Sequence, residues 1–127
     1  MNILLDTHML LWWLNADAQL PKKAKTLIAD PSNRIYVSSL SIWEVALKAS
    51  KGKLDADTKE IKQATLEEGF TLLPFVADAA IETSTLPGIH QDPFDRGLIA
   101  TAQVERITFL TADKLLKGYG SAVLVVK

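Results

Sequence analysis

Cysteine is absent from this 127-residue chain. That single absence removes disulfide scaffolds, thiolate zinc sites and cysteine nucleophiles together. Long apolar runs are missing too; the longest fall far short of the ~18 residues that span a bilayer. No basic leader with a small-residue cleavage site follows Met1, so a cytoplasmic location is the expectation. The phosphate-cradling pattern G-x-x-x-x-G-K-[ST] does not occur. Nor is there an excess of either charge. The 14 basic and 15 acidic residues leave a net charge of −1, which excludes a polycation that coats nucleic acid by bulk electrostatics. What remains is 48% apolar and 23% charged, an ordered composition rather than a disordered one. One domain spanning 1–127 is expected, long enough to bury a core without staples.

The run Asn2-Ile3-Leu4-Leu5 stops at Asp6, as a strand buried on both faces would. Leu10, Leu11, Trp13 and Leu14 then recur at helical spacing, and a second helix is expected over 21–30, with Pro21 in its first turn. Residues 34–38 read as a strand. Ser41-Ile42-Trp43-Glu44 matches a capping box and predicts a helix from Ser41 to about Ser50, with Gly52 ending it. Further helices are expected over 57–68 (Ile61, Ala64 and Leu66 inward), 77–85, 94–105 and 113–117. Further strands are expected over 71–74, 107–110 and 122–126. The alternation predicts an α/β domain with a mostly parallel sheet.

In such sheets, sites form beyond the carboxyl ends of the strands. Asp6 follows the first strand there, Glu44 lies in the helix after the second, Asp92 and Asp95 open the helix of 94–105, and Asp113 follows the strand of 107–110. Each acid also has a local reading. Glu44 completes a capping box, Asp92 and Asp113 are helix caps, and Asp95 complements a helix dipole. Asp6 ends a buried strand, where an unpaired carboxylate is costly. Taken together, clustered carboxylates repel unless a cation sits among them, and oxygen-only ligands select Mg²⁺ or Mn²⁺. Such a cluster suits phosphodiester hydrolysis. His8 and His90 form no zinc motif, His90 falling in a loop near the site, and Ser38, Ser39 and Ser41 have no evident histidine partner for a triad.

Four blocks in order carry a resemblance: Leu5-Asp6-Thr7-His8, the run from Ser38 through Glu44 to Ala46, the run from His90 through Asp92-Pro93-Phe94-Asp95-Arg96 to Ala100, and Leu110-Thr111-Ala112-Asp113. Together they resemble the PIN-domain family, and within it the VapC-type ribonuclease toxins of toxin–antitoxin pairs. The resemblance implies a three-layer α/β/α sandwich and a Mg²⁺-dependent endoribonuclease (Mn²⁺ as an alternative) leaving a 3′-hydroxyl and a 5′-phosphate. It implies Asp6 and Asp95 as principal metal ligands, Glu44 holding the metal or its water, and Asp113 as the fourth acid. Thr111 and Ser41 would be hydrogen-bonding supports, with Asp92 a less certain ligand. It also implies a cognate antitoxin protein covering the acids, an RNA substrate and a homodimer, with no membrane partner. Gly97 departs from the subgroup, which usually carries a bulkier apolar residue there; glycine in a helix costs about 1 kcal/mol relative to alanine and predicts local flexibility.

Arg96, beside the acids, is a candidate phosphate contact. Lys48, Lys51 and Lys53 read as a solvated face, and Trp12, Trp13 and Trp43 as core or interface rather than base-stacking groups, with one of Trp12 and Trp13 at a partner surface. Two other classes remain open. A metal-dependent phosphatase or phosphotransferase would want D-x-D-x-T, but His8 stands where the second aspartate belongs. An inactive PIN-like binding module would not need all four acids. Charge is unevenly spread: residues 22–62 hold nine basic residues against five acids, whereas 63–94 hold five acids and no lysine or arginine.

Overall fold

Ile3, Leu4 and Leu5 are fully buried in strand β1 (Asn2–Leu5), as the uninterrupted apolar run requires of a strand covered on both faces. Side chains alternate across a strand, so Ile3 and Leu5 enter one core with Ile35, Val37 and Leu110, while Leu4 enters the other with Phe109, Leu98 and Ile99. Each such buried side chain contributes about 1.5–3 kcal/mol. The computed structural model describes residues 1–127, and in it helices cover both faces of the sheet.

After β1 come α1 (Thr7–Leu14), α2 (Lys22–Ala29), β2 (Arg34–Ser38), α3 (Ser39–Ser50), α4 (Thr58–Glu67) and β3 (Thr71–Leu73). Then follow α5 (Ala77–Glu82) running into a 3₁₀ turn (Thr83–Thr85), α6 (Pro93–Glu105), β4 (Thr108–Thr111), a 3₁₀ segment (Lys114–Tyr119) and β5 (Val123–Val125). The strand order is β3-β2-β1-β4-β5, with every pairing parallel. The chain therefore builds outward from β1 to β3, crosses back, and builds outward again through β4. That reversal makes β1 and β4 the topological switch point, where a crevice opens at the carboxyl ends. The three-layer α/β/α sandwich is the expected one.

Local differences have identifiable causes. Helix α3 starts at Ser39 because Ser38, not Ser41, is its N-cap; the Ser38 hydroxyl accepts from the Leu40 N–H at 3.0 Å. The capping box is not formed, which frees Glu44 for another partner. In α4 Ile61 packs against the core and Ala64 is half-buried, as expected. The most buried position, however, is Thr65, whose hydroxyl donates to the Ile61 carbonyl at 2.7 Å, while Leu66 is 46% exposed. The segment 114–119 is 3₁₀ rather than α-helical.

Gly97 proves to be a contact point rather than a flexible one. It is buried, and a Cβ there would lie 2.5 Å from Leu40 Cδ1 and 3.5 Å from the Phe75 ring. Glycine therefore lets α6 approach α3, the two helices that carry Asp95 and Glu44.

Candidate active site

Asp6 is the first residue beyond β1 and also the N-cap of α1, accepting the His8 N–H at 3.0 Å. Its other oxygen accepts the Thr111 hydroxyl at 2.6 Å, from the end of the neighbouring strand β4. The residue is only 6% exposed. Burial pushes its carboxyl above the ordinary range against these two hydrogen bonds, and the Glu44 charge adds to the rise.

Asp95 sits in the first turn of α6. Burial, then the Asp6 and Asp92 charges, push its carboxyl up to about 6 against the hydrogen bond from His90. His90 Nε2 lies 2.9 Å from Asp95 Oδ2. One ligand atom each from His90, Asp95 and Asp113 lie within 4.8 Å of one another. Asp113 caps the 3₁₀ segment by accepting from Leu115 N–H, and its own N–H donates to Thr111 Oγ1 at 3.1 Å. Thr111 thus ties Asp6 to Asp113.

Glu44, in the middle of α3, is 4% exposed. Lys48 Nζ meets its Oε2 at 2.6 Å, whereas Oε1 is buried without a hydrogen-bond partner. The carboxylate draws the Lys48 ammonium above the ordinary lysine range, with Asp92 and Asp95 adding to the rise against burial. Asp6 therefore feels the charge of Glu44, Asp95 feels that of Asp6, and Asp113 lies beside Asp95 and His90. The four acids thus come from separate segments into one electrostatically linked neighbourhood. Asp6 and Asp113 line a cleft of about 240 Å³ together with His8, Met9, Trp12 and Ala112.

The other expected site residues fall one step away. Asp92 is the N-cap of α6, accepting from Phe94 N–H at 2.8 Å and Asp95 N–H at 3.4 Å. Ser41 accepts from the Thr7 hydroxyl at 2.9 Å and so supports the residue next to Asp6 rather than an acid itself. Arg96, expected as a phosphate contact, instead donates to the carbonyls of Thr83, Leu86, Pro87 and His90, at 2.7 to 3.2 Å. Its planar fork staples the loop before α6. Tyr119 clamps the same loop, its hydroxyl accepting the His90 N–H at 2.8 Å.

Neither Lys48 on Glu44 nor Tyr119 on the His90 backbone was expected. The Glu44–Lys48 spacing of i,i+4 is a signal that finds the first; nothing local finds the second. Of the tryptophans, Trp13 packs on Phe70 and Trp12 on His8, while Trp43 is 59% exposed and meets Phe94 edge-on at 5.1 Å. Trp43 is thus the most exposed of the three rings, while Trp12 and Trp13 are half-buried.

Whether these residues fit a divalent cation can be asked of the unpartnered atoms. The buried Asp6 and the part-buried Asp95 are held above the ordinary carboxyl range, and Glu44 leaves one buried oxygen bare. Carboxylate oxygens in that state are what a hard cation binds. A pH dependence follows. An unfolded aspartate titrates near 3.9, so between about pH 4 and 6 the Asp95 charge becomes progressively costlier in the fold than in the unfolded chain. The metal-free protein is expected to lose melting temperature from pH 4.5 to 7. Asp95→Asn should flatten that slope, and millimolar Mg²⁺ should restore stability only above about pH 6, where the Asp95 carboxyl is deprotonated and free to bind a cation. Thermal melts across pH with and without Mg²⁺ read all three effects; an Asp95→Asn profile parallel to the parent would remove Asp95 as the cause.

The PIN domain model matches residues 3–120. No curated protein matches the chain. Among solved structures, VapBC2 from Rickettsia felis, bound to a DNA fragment from its promoter, aligns with TM-score 0.69 and 17% identity over 99% of this chain and 98% of that one. A toxin–antitoxin complex from Klebsiella pneumoniae aligns with TM-score 0.65 and 24% identity over 97% and 96%. VapBC-5 from Mycobacterium tuberculosis, a member of the VapBC family of toxin–antitoxin systems, aligns with TM-score 0.60 and 20% identity over 99% and 98%. At these identities the likeness is one of fold.

Proposed function

The chain belongs to the PIN-domain family, and we propose that it is a divalent-metal-dependent endoribonuclease, the toxin of a toxin–antitoxin pair. What supports this reading is the electrostatic linkage of Asp6 to Glu44 and Asp95, the grouping of Asp95 with His90 and Asp113, and the Glu44 Oε1 that is buried and unpartnered. Asp6, Asp95 and Glu44 would hold Mg²⁺ or Mn²⁺, with Asp113 completing the set. The ion supplies Lewis acidity that makes water a nucleophile at neutral pH and offsets phosphate charge.

The chain's own residues prepare that chemistry. Thr111 fixes the Asp6 carboxylate through its hydroxyl, and His90 fixes Asp95. Thr7 and Ser41 brace the turn between β1 and α1. In-line attack of water on an RNA phosphodiester forms the new P–O bond and breaks the bond to the 3′ oxygen, leaving a 3′-hydroxyl and a 5′-phosphate. A cognate antitoxin and a homodimer are proposed by analogy with the toxin–antitoxin complexes of similar fold. No helix is long and apolar enough to cross a membrane, and a cytoplasmic site of action is proposed with the RNA substrate.

Purified protein incubated with RNA and Mg²⁺ should yield discrete fragments with 5′-phosphates, and EDTA should abolish them. Expression without a partner protein should arrest growth. Turnover of para-nitrophenyl phosphate without any RNA cleavage would replace this reading with a phosphatase one. Metal binding without either activity would return the inactive binding module.

A further inference from the structure

The chain contains 14 lysines and arginines, yet only one of them makes an ion pair. The other two ion pairs use His8 and His90. That single contact, Lys48 Nζ to Glu44 Oε2 at 2.6 Å, falls inside the acid cluster, on the buried carboxylate whose other oxygen has no partner. Asp92 and Asp95 act on the same ammonium. Arg96, which adjoins Asp95 in sequence, is committed to loop carbonyls and does not compete for the role. The Lys48 side chain is 40% exposed and the Glu44 side chain 5%. A flexible stem therefore carries a cation from solvent to the edge of a buried anionic site, by a path along which it can also withdraw.

We infer that Lys48 is an internal counter-cation: its ammonium neutralises the Glu44 face of the cluster in the metal-free protein, and a divalent ion must displace it to reach Glu44. The inference rests on the reading of Glu44 as a metal-facing carboxylate. It makes Lys48 a competitor of the metal, and this separates it from a purely structural brace. Removing a brace would disorder Glu44 and weaken metal binding; removing a competitor strengthens it. Lys48 sets the threshold at which the site loads, and keeps the acids from repelling one another while it is empty.

The test is a direct titration with Mn²⁺ followed by electron paramagnetic resonance of the free ion, with no RNA present. The parent would be compared with Lys48→Met, Lys48→Gln, Lys48→Arg and the exposed control Lys53→Met. Loss of one adjacent positive charge is expected to tighten Mn²⁺ binding about threefold to tenfold in both neutral variants, leaving Lys48→Arg and Lys53→Met within about twofold of the parent. Agreement between Met and Gln excludes a packing artefact of either. The melting temperature of the metal-free Lys48→Met protein should fall, and its rise on adding Mn²⁺ should exceed that of the parent. Unchanged or weaker Mn²⁺ binding in the neutral variants overturns the counter-cation and leaves the nuclease reading standing. A parent that binds no Mn²⁺ at all overturns both.

Discussion

Asp6→Asn is expected to abolish RNA cleavage and at the same time raise the melting temperature of the metal-free protein. The two effects share one cause. Asp6 is 6% exposed, burial pushes its carboxyl up, and Glu44 pushes it further. An aspartate whose folded pKa is raised is penalised at every pH above that value, and the penalty vanishes only below the unfolded pKa. Asparagine removes the charge and keeps the shape. Its carbonyl can still cap α1 by accepting from His8, and its amide can meet the Thr111 oxygen. At pH 7.5 the gain should be about 3 °C for each kcal/mol recovered, and it should disappear near pH 4. Cleavage should fall at least about a hundredfold, because several kcal/mol of metal-derived stabilisation depends on this ligand. Paired melts and RNA cleavage time courses read both halves. Cleavage at the parental rate would end the nuclease assignment of Asp6, and a lowered metal-free melting temperature would show that its hydrogen bonds outweigh its burial.

The same tension explains what was legible in the sequence. A carboxylate directly after Ile3-Leu4-Leu5 is conspicuous because local stability opposes it, and the topology then puts it at the crevice. The strands and most helix limits were readable for a related reason: short apolar runs and capping residues are local signals. The inner walls of the site were not. Ser41-x-x-Glu44 has the spacing of a capping box, but Ser38 lies one turn earlier at the strand end and takes the cap. Glu44 then pairs with Lys48, a choice settled by burial rather than by pattern. Gly97 suggested looseness in isolation; only the approach of Leu40 and Phe75 from other elements makes it a tight contact. His90 owes its place on Asp95 to Arg96 and Tyr119, which hold its backbone from 6 and 29 residues away. Such long-range partners have no periodicity to read.

Arg96 carries the second large effect. Its two terminal nitrogens donate to four backbone carbonyls between Thr83 and His90 and also reach the Tyr119 hydroxyl at 3.4 Å. These carbonyls lie in a loop and a 3₁₀ turn with few internal partners, so losing the guanidinium leaves several half-buried acceptors unsatisfied. A charge-assisted bond contributes about 1.5–3 kcal/mol, and the set is not additive, so Arg96→Met is expected to cost about 2–4 kcal/mol in urea unfolding. Lysine has one nitrogen where arginine has a planar fork, and cannot span Thr83 and His90 together. Arg96→Lys should therefore lose most of the same stability and should open residues 83–92 to limited proteolysis. Because the loop holds His90 against Asp95, both variants should also weaken Mn²⁺ binding without RNA. A phosphate contact predicts the opposite pattern: parental stability and metal binding in both variants, a raised KM for RNA in Arg96→Met, and rescue by lysine. A urea midpoint for Arg96→Lys equal to that of the parent would return Arg96 to the substrate.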